Sequence, residues 1–109
     1  MNILRYAALA LAFVSAPPPA MAADDYVLTI RDHSFQPTDI AIPAGTKVRL
    51  IVKNADPTAE EFESSDLNRE KVVAAGNQIT VFIGPLSAGR YEFFGDFHPD
   101  TARGHVVVE

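Results

Sequence analysis

The stretch Tyr26-Val27-Leu28-Thr29-Ile30-Arg31 has a period of two. Tyr26, Leu28 and Ile30 alternate with Val27, Thr29 and Arg31, the pattern of a strand with one face buried. Working outward, the pattern recurs. Gln36-Pro37-Thr38 turns the chain, Ile40 and Ile42 alternate again, and Pro43-Ala44-Gly45 ends that run with turn chemistry. Val48, Leu50 and Val52 predict a further strand, with Lys47, Arg49 and Lys53 on its wet face, and Asn54-Ala55-Asp56-Pro57 breaks it. A short strand is expected around Phe62, then Gln78 to Ile83, then Tyr91 to Phe94, with Val106-Val107-Val108 closing the chain. Asp66 to Ala75 reads as a brief helical turn or as an irregular crossing. About seven short strands at turn spacings of roughly 8–12 residues predict an all-β chain, a small Greek-key sandwich of antiparallel strands.

Composition narrows the function. The 109 residues carry 9 Lys+Arg against 14 Asp+Glu, a net charge of −5, which argues against a nucleic-acid partner. There is no cysteine, so disulfides, thiolate metal sites, cysteine nucleophiles and iron–sulfur clusters are all excluded. Met1 to Ala22 reads as a secretory signal peptide. Arg5 supplies its positive start, Tyr6 to Val14 its apolar stretch, and Ala20-Met21-Ala22 a small-x-small cleavage site. That stretch is short for a bilayer core, which needs roughly 20 apolar residues. The expected product is residues 23–109, one domain exported to the periplasm and not embedded in a membrane.

Residues with ligand chemistry fall in three places: Asp32-His33, Glu60-Glu61-Phe62-Glu63, and Asp96-Phe97-His98, with His105 seven residues further on. Loops at one end of a sandwich converge although distant in sequence, and a mixed set of imidazoles and carboxylates suits a divalent transition metal. Each residue also has a plainer reading. His33 beside Asp32 fits a solvated turn, the three acids around an inward Phe62 fit a wet face, and His105 fits a structural role in the last strand. Phe93-Phe94-Gly95-Asp96-Phe97-His98 is harder to read that way, because three aromatics around an acid and an imidazole leave that pair partly desolvated. No serine lies in a Gly-x-Ser-x-Gly elbow, and no hydrolase or transferase site is evident.

The run Tyr91-Glu92-Phe93-Phe94-Gly95-Asp96-Phe97-His98, followed by Arg103-Gly104 and an apolar strand, resembles the C-terminal signature of the cupredoxins. In that family an aromatic strand leads to a loop with Cys, then His, then Met. The Pro43 to Asn54 segment and the turn into Glu60-Glu61-Phe62 resemble the family as well, and the likeness runs from Tyr26 onward. Position by position, Gly95 stands in the place of the Cys and His98 in that of the second His. Arg103 falls at or beside the axial Met, and Glu60 or Glu61 replaces the first copper His. A blue-copper site needs a His₂Cys plane with a weak axial ligand, so the resemblance excludes a blue-copper carrier of the usual kind.

A narrower resemblance is to the periplasmic cupredoxin-like proteins and domains of bacterial ferrous-iron uptake. It is carried by Pro37 to Gly45, by Glu61-Phe62-Glu63 and by Ala88 to Tyr91. Some members have cysteines at the positions of Phe35 and Gly95, both absent here. This likeness implies a metal site rebuilt from His33, Glu61, Asp96 and His98, with Glu60 or Glu63 in reserve. It implies copper as Cu(II), with iron as the other candidate, and partnership with a membrane iron permease and other periplasmic iron-uptake components. The function so implied is iron uptake by ferrous-iron oxidation or by handover to the permease, at most a ferroxidase-like redox role. A periplasmic copper chaperone and a metal-free cupredoxin-fold interaction module are the alternatives.

Overall fold

The computed structural model describes residues 25–109, so the expected signal peptide lies outside the described residues. Nine strands follow one another: β1 (Asp25–Arg31), β2 (Ser34–Gln36), β3 (Asp39–Ile42), β4 (Val48–Asn54), β5 (Glu60–Ser64), β6 (Arg69–Val73), β7 (Gln78–Ile83), β8 (Gly89–Gly95) and β9 (Arg103–Val108). They form two sheets, β2-β1-β4-β7 and β3-β9-β8-β5-β6, packed as a sandwich. The fold is all-β among the described residues, as the alternation predicts. The strands are not all antiparallel, however. β1 runs parallel to β4 and β3 parallel to β9, while the remaining pairs are antiparallel. Both parallel pairs join strands separated by a crossing to the other sheet, a connection that a hairpin cannot make.

The ambiguous segment Asp66 to Ala75 contains β6, which pairs with β5 from Glu60↔Val73 to Ser64↔Arg69. Four of its five residues face solvent. An edge strand of this kind shows no apolar alternation, so periodicity cannot find it.

The inner faces of both sheets meet in Leu28, Ile30, Leu50, Val52, Val73, Ile83 and Val106, all essentially sealed from water. At one end the core is aromatic. Phe35 stands edge-on to Phe93 and Phe62, with ring centroids 4.9 and 6.2 Å away, and Phe62 lies 5.5 Å from Phe93. Edge-to-face packing at these separations is the favoured aromatic geometry. Gly104 is required beside them, since a Cβ there would stand 2.6 Å from the Phe93 ring. The trio forms the floor of the candidate site. His33, Glu60 and Gly95 each lie two residues, one pleat, from Phe35, Phe62 and Phe93 respectively.

Candidate metal centre

His33 is presented by the turn between β1 and β2. Only Asp32 and His33 separate the paired residues Arg31 and Ser34, and both take positive φ, 52° and 57°. A two-residue hairpin turn of this hand favours glycine, since side chains resist that conformation. Here an outside acceptor holds it. Asp56 Oδ1 accepts the Asp32 N–H at 2.7 Å and its Oδ2 accepts the His33 N–H at 3.0 Å. Asp56 is itself set by Asn54, whose Oδ1 accepts the Asp56 N–H and whose Nδ2 donates to Thr58 O and Val73 O. Burial pulls the Asp56 carboxyl upward. The His33 and Asp32 backbone N–H groups, with the charges of the His33 and His98 rings, outweigh that and hold it below the ordinary range.

His98 comes from the loop between β8 and β9. Its N–H donates to Gly95 O, and its own carbonyl accepts from Ala102 and Thr101. The Thr101 hydroxyl donates to His33 O at 2.5 Å, tying the two loops together. The imidazoles of His33 and His98 stack with centroids 3.6 Å apart and planes 16° off parallel.

The acid that meets them is Glu60. Its Oε2 lies 2.5 Å from His98 Nδ1, and its Oε1 accepts the N–H groups of Phe97 and Glu61 at 2.8 and 3.0 Å. Glu60 is only 1% exposed. One ligand atom from each of His33, Glu60 and His98 lies within 4.8 Å of the others.

The expected set of His33, Glu61, Asp96 and His98 is therefore not gathered as one group. The two histidines are together. Glu61 projects from the opposite face of β5 with Glu63, where both form a carboxylate cluster with Glu70 of β6. Asp96 is exposed and adds its charge to that cluster. The reason is the pleat, which turns Glu60, Phe62 and Ser64 inward and Glu61 and Glu63 outward. Glu61 Oε1 is buried without a hydrogen-bond partner. The Glu61 side chain also meets that of Glu70 in a side-chain hydrogen bond. That bond, then desolvation, then the charges of Glu70, Asp96 and Glu63 push Glu61 up to about 7.

Asp56 and Asn54 were legible in sequence only as a strand breaker. The missed signal was Asp-His in a turn lacking glycine, which needs an acceptor from elsewhere. His105 lies apart, at the start of β9, with Nδ1 3.5 Å from Asp39 Oδ1.

Gly95 offers no donor, and a Cβ there would stand 2.6 Å from Glu60 Cδ and 2.7 Å from the Ala102 Cβ. Arg103 is committed to Pro99 O and to the Glu92 carboxylate. A His₂Cys plane thus does not fit this chain. Two imidazoles steadied by carboxylates do fit the donor chemistry of a divalent ion.

The comparisons agree on the frame. An uncharacterized protein of Rickettsia prowazekii (strain Madrid E) is 53% identical over 81 residues, covering 74% of this chain and 65% of that relative's length. The amicyanin of Paracoccus versutus is 21% identical, with a TM-score of 0.64 covering 83% of this chain and 86% of that one. The metal-binding domain of a Cu(I)-exporting P-type ATPase of Streptococcus pneumoniae D39, solved with Cu(I), is 13% identical, with a TM-score of 0.66 over 78% and 84%. The family model for the cupredoxin-like domain matches residues 4–108, and with the sandwich and the loop-borne imidazole pair on its aromatic floor, the chain belongs to that family.

Proposed function

We propose that this chain is an exported, periplasmic metal-binding cupredoxin-like protein that holds a divalent ion, copper(II) first and iron as the other candidate, on His33 and His98, in the service of ferrous-iron uptake beside a membrane permease. One observation carries the metal reading. Two imidazoles from loops far apart in sequence face each other at 3.6 Å over a buried carboxylate. Carboxylates that hold the second nitrogen of an imidazole are the usual supports of metal-binding histidines. The family link to copper proteins supports copper at the level of the fold.

The donor chemistry supports the oxidised ion. With no cysteine in the chain there is no thiolate to favour Cu(I), whereas imidazole and carboxylate suit copper(II), zinc(II) and iron(II). Copper bound here supplies a one-electron couple suited to ferrous oxidation, or is itself the cargo. The iron-uptake assignment rests on the likeness at Pro37 to Gly45 and Glu61-Phe62-Glu63. An acidic chain also favours cation capture.

The test is to load purified protein with copper(II), desalt it and measure retained metal in wild type and His98→Ala. Retention in wild type and loss in the variant are expected. No retention in wild type, or undiminished retention in His98→Ala, overturns the assignment. Neighbouring genes decide the physiological role, since an iron permease beside the gene supports iron uptake and copper-export genes replace it with a copper chaperone. A second reading, a metal-free interaction module, is favoured by Glu60 already having three donors. It predicts a melting temperature unmoved by copper(II), zinc(II) or iron(II).

A further inference from the structure

Glu60 is by its chemistry a possible metal donor, yet its surroundings leave it little freedom to act as one. A carboxylate offers about four lone-pair positions. Three are taken, by the N–H groups of Phe97 and Glu61 and by His98 Nδ1, and the residue is sealed from solvent. On its other side, the space into which residue 95 would send a side chain is filled by the carboxylate and by Ala102. Oε1 is filled by the two backbone donors, so an ion could reach only Oε2, which is sealed from solvent and already faces His98 Nδ1.

With Glu60 Oε2 as the acceptor of the short contact, the ring hydrogen of His98 sits on Nδ1. In the neutral ring the lone pair is then on Nε2, and the side chain keeps 29% exposure. His33 is held differently. It is 43% exposed, its Nδ1 is 3.5 Å from Asp56 Oδ2, and its other ring contact is the stack. Nearly parallel imidazoles direct their in-plane lone pairs side by side, not toward a common point. His98 is held by a short ring hydrogen bond, whereas His33 has only the longer Asp56 contact and the stack.

Resting on the metal-binding reading above, we infer that Glu60 is a positioning residue and not a ligand. It closes the interior of the site and fixes the hydrogen of His98 on Nδ1. Metal therefore binds outside that closed interior, through His98 Nε2 together with His33.

Long-range proton–nitrogen NMR of the wild-type chain tests this, using zinc(II) as a diamagnetic probe. His98 Nδ1 is expected to carry its hydrogen before and after zinc addition, while zinc shifts the resonances of His98 Nε2 and of the His33 ring. Loss of the Nδ1 hydrogen on loading, with the ion on that nitrogen, overturns the inference and leaves the metal reading standing. Zinc that moves neither ring overturns the metal reading and the Nε2 assignment with it. The Nδ1 resonance still reports separately whether Glu60 fixes the ring. Glu60→Gln supplies a second measure, with the strand amide signals confirming the fold. Mixed His98 tautomers and a roughly 10–100-fold weaker zinc affinity are expected. An unchanged tautomer and an unchanged affinity overturn the positioning role.

Discussion

Because successive residues of a strand point to opposite faces, the adjacent carboxyls of Glu60 and Glu61 meet different chemistry. Glu60 is surrounded by donors, whereas Glu61 is surrounded by acids and held up to about 7. That elevation has a definite sign in stability. A carboxyl whose folded value lies above its unfolded value binds a proton in the native state that the unfolded chain releases. Its contribution is therefore full below about 4.5, and it is lost as pH rises through about 7. Wild type should lose denaturant midpoint across that window relative to Glu61→Gln, which keeps the shape and has no charge to bury. Urea midpoints of the two proteins measured side by side check this, and parallel curves contradict it. The Glu60–Glu61 distinction was in fact readable in sequence. With Phe62 taken as inward, parity puts Glu60 and Ser64 on its face and Glu61 and Glu63 on the other. What could not be read is that donors wait on one face and acids on the other, since Phe97, His98 and Glu70 arrive from other strands and loops.

The turn between β1 and β2 shows how an element is built for its side chain and not for its own stability. Both of its residues sit at positive φ, where glycine is favoured, and Asp56 supplies the acceptor that keeps them there. His33→Gly should therefore abolish or sharply reduce copper(II) retention while leaving the melting temperature unchanged or higher. The gain from relieved backbone strain opposes the loss of the ring stack. Thermal scans and metal retention on one preparation check both halves. A lower melting temperature together with undiminished retention would show the histidine to be structural. Strands with a buried face, such as β1 and β4, were legible because alternation reports burial directly. β2, of three residues, and β6, with an outward face, lie below what alternation resolves. The turn's dependence on Asp56 was invisible because the two lie more than twenty residues apart.

At the scale of the molecule, the sandwich follows from about seven short strand-like runs, but the directions of its strands do not. Pairing β1 with β4 and β3 with β9 is decided by which inner faces close the core, a nonlocal choice that no window of sequence contains. The two sheets bring the β1–β2 turn and the β8–β9 loop to one end, and the Thr101–His33 bond latches them there. Metal held by both loops consequently binds only the folded chain, since the unfolded chain has no fixed arrangement of the two rings. Binding of that kind raises stability by mass action, by about 2.7 kcal/mol when free ligand is 100 times its dissociation constant. For a domain of this size each kcal/mol moves the melting temperature by roughly 4–8 °C. Saturating copper(II) should thus raise the wild-type melting temperature by on the order of ten degrees or more. The rise should grow with the logarithm of free metal and be nearly absent in His98→Ala. A rise of equal size in that variant would place the ion elsewhere, and the acidic face of Glu61, Glu63 and Glu70 would be the first place to look.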